Sequence, residues 1–150
     1  GVKVILIDRE GIKGLIPHRD PFLFVDRVVE LESGSRIVAI KTFGPEEDFF
    51  RGHFPGNPIV PGVILIEAMA QTGGVLVYSS FTEEIKAAGQ SGAYLAGLEK
   101  VKFRKVVYPN DEVKMDVRIT KKRSRLIKFE CEAWVGDSKV TEAEITVSLY

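Results

Sequence analysis

Three segments in the second half of the chain alternate apolar and polar side chains with period two. Val113, Met115, Val117 and Ile119 alternate with Lys114, Asp116, Arg118 and Thr120. Ile127, Phe129, Cys131, Ala133 and Val135 alternate with Lys128, Glu130, Glu132 and Trp134, and Ala143, Ile145, Val147 and Leu149 with Glu144, Thr146 and Ser148. Such alternation predicts an antiparallel sheet with one wet face. Lys121–Ser124 and Gly136-Asp137 supply hairpin turns, and a further strand is predicted through Tyr94–Phe103. Earlier in the chain, Phe22 to Leu31 reads as a strand, Ser33-Gly34-Ser35 as a turn, and Ile37 to Phe43 as the returning strand. Ile12, Leu15 and Ile16 have helical spacing ahead of Pro17, which predicts a short helix and then a loop.

The period changes once more. A loop dense in proline and glycine (Gly44 to Pro61) leads into Gly62–Tyr78, which is apolar on nearly every face. A helix of that kind is buried in protein or in lipid. Glu67, Gln71 and three glycines interrupt the apolar run, so no membrane span is expected. One buried helix must be covered, and a curved antiparallel sheet has one apolar face to bury. The prediction is an α+β fold, with the sheet wrapped around one long central helix in a single domain over residues 1–150.

Composition narrows the function classes. Lysine plus arginine equals aspartate plus glutamate at 21 each, so no net charge draws the chain to nucleic acid or to an anionic membrane. The single cysteine, Cys131, allows no internal disulfide, and with two histidines there is no close-spaced cluster for a metal. The N-terminus lacks a signal-peptide pattern, which makes a cytoplasmic location the expectation.

Candidate chemistry sits where loop meets helix. His53 lies between Gly52 and Phe54, and histidine is the side chain that titrates near neutral pH. On those surroundings alone, a structural hydrogen bond explains it as well as catalysis does. Glu67 falls among Ile64, Ile66, Ala68 and Ala70, so its carboxylate must be paired, solvated in a cavity or protonated. Gln71, four residues on, shares its face and can hydrogen-bond it; a salt bridge to the sheet is the alternative. Gly62 opens the helix, whose free N–H groups favour negative charge. A base, an acid and an oxyanion donor near one apolar cavity can abstract a proton α to a carbonyl.

The stretch from His53-Phe54-Pro55-Gly56-Asn57-Pro58-Ile59-Val60-Pro61-Gly62 through Glu67 to Gln71 closely resembles the 3-hydroxyacyl-[acyl-carrier-protein] dehydratases of type II fatty-acid synthesis. It is similar to the FabZ branch, which carries glutamate where the FabA branch carries aspartate. Leu15 to Asp26 and Lys102 to Asp111 resemble the family's other signatures. The turn at Pro109-Asn110-Asp111 has asparagine where the family more often has glycine, and Val106 stands where proline is common. Asparagine also tolerates left-handed angles, so the turn should survive.

The resemblance implies a hotdog fold and a homodimer with sheets joined side by side, commonly stacked as a hexameric trimer of dimers. It places the active site at the dimer interface, with histidine and glutamate from different subunits. It assigns His53 as base and Glu67 as the acid or water-positioning residue. Gly62 and Val63 become oxyanion donors, the Ile59 carbonyl orients His53, and Gln71 holds Glu67. The partner is acyl carrier protein, with the substrate on its phosphopantetheine; no metal and no other cofactor is implied. Val63, Ile64 and Phe81 are expected along the acyl tunnel, and His18 is read as structural. Of two basic stretches, Lys100–Lys105 and Lys121–Arg125, one is expected to dock the carrier. The rival readings are a hotdog acyl thioesterase, a non-catalytic acyl-binding module and a nucleic-acid binder, the last weakened by zero net charge.

Overall fold

The computed structural model describes residues 5–150; the expectations made for the first four residues lie outside it. The elements are α1 (Arg9–Lys13), β1 (Arg27–Glu32), β2 (Arg36–Thr42), α2 (Phe49–Gly52), α3 (Gly62–Ser80), α4 (Thr82–Ala87), β3 (Ala93–Phe103), β4 (Glu112–Arg123), β5 (Leu126–Val135) and β6 (Ser138–Leu149). The six strands form one antiparallel sheet in the order β1-β2-β4-β5-β6-β3. The sheet wraps α3 as expected of a hotdog fold. Val113, Met115 and Val117 of β4, Phe129 and Cys131 of β5, and Ile145 and Val147 of β6 meet Leu65, Ala68, Met69, Leu76 and Val77 of α3 in one core.

Period two holds where it was read. β4 buries every second residue from Val113 to Val117 and β5 from Ile127 to Ala133, and their hairpin closes at the pair Arg123 and Leu126. The β5–β6 hairpin closes at Val135 and Ser138, around Gly136 at φ 58°. Asn110 adopts φ 70° in the turn before β4 and donates its N–H to the Phe43 carbonyl, so asparagine does serve there. α3 is long and apolar enough to cross a membrane by length and composition, but 67% of its apolar window is buried within the protein.

Several elements differ from the sequence reading. α1 ends at Lys13, where the Gly14 N–H closes the last turn, rather than running to Pro17. β1 begins at Arg27, because Phe22–Phe24 leaves the sheet to pair its backbone with the side chain of Gln71. The short helices α2 and α4 were not legible in the hydrophobic pattern, since each buries a single residue, Phe50 and Ile85.

Among the described residues β3 pairs only with β6. Its other edge is open, and nearly every residue along it is exposed, including Tyr94, Leu95, Leu98 and Phe103.

Candidate active site

The proline-rich loop is held by its own backbone. Phe54 and Asn57 exchange two hydrogen bonds, of 3.0 and 2.9 Å, around Gly56 at φ 73°, a conformation that costs glycine little. The Val60 N–H donates to the Val107 carbonyl at 2.8 Å and fixes the loop to the segment before β4. Within this frame His53 Nδ1 lies 3.1 Å from the Ile59 carbonyl oxygen, and the Ile59 N–H returns 3.1 Å to the His53 carbonyl. A carbonyl only accepts, so Nδ1 donates this bond, and in the neutral ring the lone pair is on Nε2. The half-buried ring stacks on Phe54, with centroids 4.0 Å apart.

α3 starts after Pro61 with no side-chain cap. Its first N–H groups have no intrahelical acceptor by geometry. None accepts from Gly62 or Val63 among the described residues, and Val63 is largely exposed. A Cβ added to Gly62 would sit 2.6 Å from the Phe103 ring, so the glycine lets that aromatic side chain lie against the helix start.

One and a half turns on, Glu67 faces a cavity of about 240 Å³ lined by Ile16, Ala70, Gly74, Tyr78, Leu95 and Val147, among others. Gln71 is almost wholly buried and fully engaged. Its Oε1 accepts from the Phe24 N–H at 2.7 Å, and its Nε2 donates to the Phe22 carbonyl at 2.9 Å and to Glu67 Oε1 at 3.3 Å. Burial pushes the Glu67 carboxyl above the ordinary carboxylate range, and the Gln71 amide opposes that only in part.

The fold therefore makes two half-sites. His53 sits with Ile59, and Glu67 sits with Gln71, but within one protomer His53 does not line the cavity that Glu67 faces. His18, read as structural, lines that cavity with its Nε2 3.7 Å from Glu67 Oε1. The cavity wall is not made by Val63, Ile64 or Phe81; Phe81 lies beyond the far end of α3 and lines a separate hollow with Ile85 and Leu149. The only sequence signal for His18 is its place inside the Leu15–Asp26 segment.

The FabA-like domain profile matches residues 16–144, spanning both half-sites. The chain belongs to the FabA-like family. It is 41% identical over 144 residues to a 3-hydroxyacyl-[acyl-carrier-protein] dehydratase FabZ of Desulforamulus reducens, covering 96% of this chain and 98% of that one. It is 44% identical over 143 residues to a protein of the same name from Syntrophobacter fumaroxidans, covering 95% and 94%. Among solved structures, the dehydratase heterocomplex ApeI:P from Xenorhabdus doucetiae aligns with a TM-score of 0.76 at 17% identity, over 93% of this chain and 90% of that one. That likeness concerns the fold.

Proposed function

We propose that this protein dehydrates (3R)-hydroxyacyl-[acyl-carrier-protein] to the trans-2-enoyl thioester in type II fatty-acid synthesis, in the cytoplasm. The observation that carries the reading is Glu67, a carboxyl driven toward its neutral form by burial at the wall of an apolar cavity. A neutral carboxyl can give a proton to a leaving hydroxyl, and an apolar cavity can take an acyl chain. His53 Nε2 takes the α-proton. Charge developing on the thioester oxygen meets the Gly62 and Val63 N–H groups and the helix dipole. The Cα–Cβ double bond forms as the Cβ–O bond breaks, and the hydroxyl leaves as water with a proton from Glu67, or from His53 returning it. The elimination is redox-neutral and calls for no metal or redox cofactor; the phosphopantetheine of the carrier holds the substrate.

The separation of the two half-sites and the open, apolar edge of β3 both favour a homodimer joined edge to edge, so that His53 of one copy serves Glu67 of the other. Stacking of such dimers into a hexamer belongs to the same proposal. For the carrier, the ion pairs separate the two basic stretches. Lys100 pairs with Glu144 at 3.4 Å and Arg104 with Glu142 at 2.7 Å, which leaves two of the four cations of the first, Lys102 and Lys105, without a carboxylate partner among the described residues. In the second, Lys122 pairs with Glu84, whereas Lys121, Arg123 and Arg125 have no carboxylate partner among the described residues. Lys121 and Arg123 flank a shallow surface around Leu126, a fit for an acidic carrier, whereas Lys128, which also lines it, is already paired with Glu144 and Glu99.

The test is incubation with a crotonyl thioester of a carrier protein, following hydration and thiol release together, beside His53→Ala and Glu67→Gln. Reversible hydration without thiol release, lost in both variants, is expected. Thiol release without hydration would make the protein a thioesterase, and binding without turnover an acyl-binding module.

A further inference from the structure

Glu67 Oε1 is approached by two side chains, whereas Oε2 has no donor among the described residues. Gln71 Nε2 donates to Oε1 at 3.3 Å, and His18 Nε2 lies 3.7 Å from the same atom. His18 is held by its backbone. It falls between Pro17 and Pro21, and the Arg19 guanidinium donates to the carbonyls of Lys13 (2.9 Å), Ile16 (3.0 Å) and His18 itself (2.6 Å). Its other ring nitrogen, Nδ1, is buried with no partner among the described residues. A buried N–H without an acceptor is the costlier orphan, so Nδ1 carries the lone pair and the N–H is Nε2, on the side of Glu67.

The titratable and charged groups around the ring are few. Glu67 and Tyr78 face the cavity from α3, Tyr94 from β3, and Arg19 is its chain neighbour. Burial, then Arg19, hold His18 below the usual histidine range, so at neutral pH it is an uncharged donor and not a cation. A 3.7 Å contact is longer than a hydrogen bond. It can shorten as Glu67 gives up its proton and the carboxylate gains charge, since catalytic contacts often tighten only in the reacting complex.

We propose that His18 is a positioning residue which, with Gln71, holds Oε1 of Glu67 so that Oε2 is presented to the β-hydroxyl of the substrate. The proposal rests on the dehydration reading for its chemical purpose. The contact itself can be tested without substrate.

The first measurement is a carboxyl-carbon NMR titration of the glutamate-labelled protein, with the Glu67 signal assigned by its loss in Glu67→Gln. Removing a donor from the carboxylate raises its midpoint. His18→Leu is expected to move Glu67 upward by about 0.5 to 1 pH unit, and His18→Gln, whose Nε2 reaches similarly far, to restore much of it. Should the leucine variant not fold, His18→Asn keeps a polar side chain but is too short, and takes its place. The second measurement is the pH profile of turnover. The leucine or asparagine variant is expected to lose about tenfold in kcat with KM nearly unchanged, its alkaline limb moving with the NMR midpoint. An unmoved Glu67 midpoint, or a moved midpoint with an unmoved kcat profile, would overturn the proposal. If the wild-type protein fails to dehydrate, the function reading falls, while the titration still decides whether His18 acts on Glu67.

Discussion

Replacing Gln71 by leucine tests how the site is anchored. Leucine has about the volume of glutamine but none of its hydrogen bonds, so three contacts vanish together. The Phe24 N–H loses a 2.7 Å acceptor, the Phe22 carbonyl a 2.9 Å donor and Glu67 Oε1 a 3.3 Å donor. Phe24 is 2% exposed and cannot turn to solvent, so its orphaned N–H costs about 1–3 kcal/mol. Phe22 is 49% exposed, so water can reach that segment and its carbonyl costs less. Leucine's own burial returns part of the loss. The net expectation is about 2–3 kcal/mol of lost stability, which for a chain of this length lowers Tm by roughly 5–10 °C. The assay is thermal unfolding by circular dichroism at fixed protein concentration, which also holds any association constant. A second arm locates the effect. Introduced into Glu67→Gln, Gln71→Leu should cost nearly as much as it does in the wild type, because the buried partner of Gln71 is Phe24 and not Glu67. A Tm within about 2 °C of wild type would refute the reasoning, as would a much smaller cost of Gln71→Leu in the Glu67→Gln background.

Three further outcomes are expected. A Cβ added to Gly73 would sit 2.8 Å from the fully buried Phe129 ring, so Gly73→Ala should lose about 1–2 kcal/mol in urea unfolding despite its better helix propensity. Cys131 is buried and its thiol is pushed far above the usual range by burial, so it should resist a disulfide reagent in the native protein and react at once in guanidinium. Glu67 binds its proton more tightly when folded than when unfolded, so stability falls as pH rises from about the ordinary 4.5 through the raised folded value. Glu67→Gln should therefore gain stability over wild type at pH 8 and lose that advantage near pH 4, measured by urea unfolding; an advantage that grows toward acid would contradict the burial assignment.

The fold was legible wherever one side chain in two, or nearly all of them, answers to one core. β4 and β5 show their burial in their alternation, and α3 shows its enclosure in the absence of a polar face. The same logic explains what was hidden. Phe22–Phe24 has the composition of a strand, yet its backbone is claimed by the amide of a residue 47 positions from Phe24, a pairing that no local pattern encodes. α2 and α4 each contribute one buried residue, too few for a period to register.

The site divides along the same line. His53 with Ile59 and Glu67 with Gln71 are contacts of six and four residues' separation, so spacing within one loop and one helix suffices to place them. His18 meets Glu67 only because Arg19 folds the Lys13–Arg19 segment back on itself beside α3. That arrangement is tertiary, and a lone histidine between a proline and an arginine gives no hint of it. β3 poses the opposite problem. Tyr94, Leu95 and Leu98 are apolar and Gly97 is bare, yet all are exposed in the single chain, and the strand shows neither alternation nor burial. A strand in water should not look like that, and an edge strand that solvent must tolerate would carry charge or proline. From Ala93 to Leu98 it carries neither, its charges Glu99, Lys100 and Lys102 falling in the second half, which makes sense if the second neighbour of that first half is the β3 of another copy. The demand of the chemistry points the same way, because His53 and Glu67 do not share a cavity within one protomer.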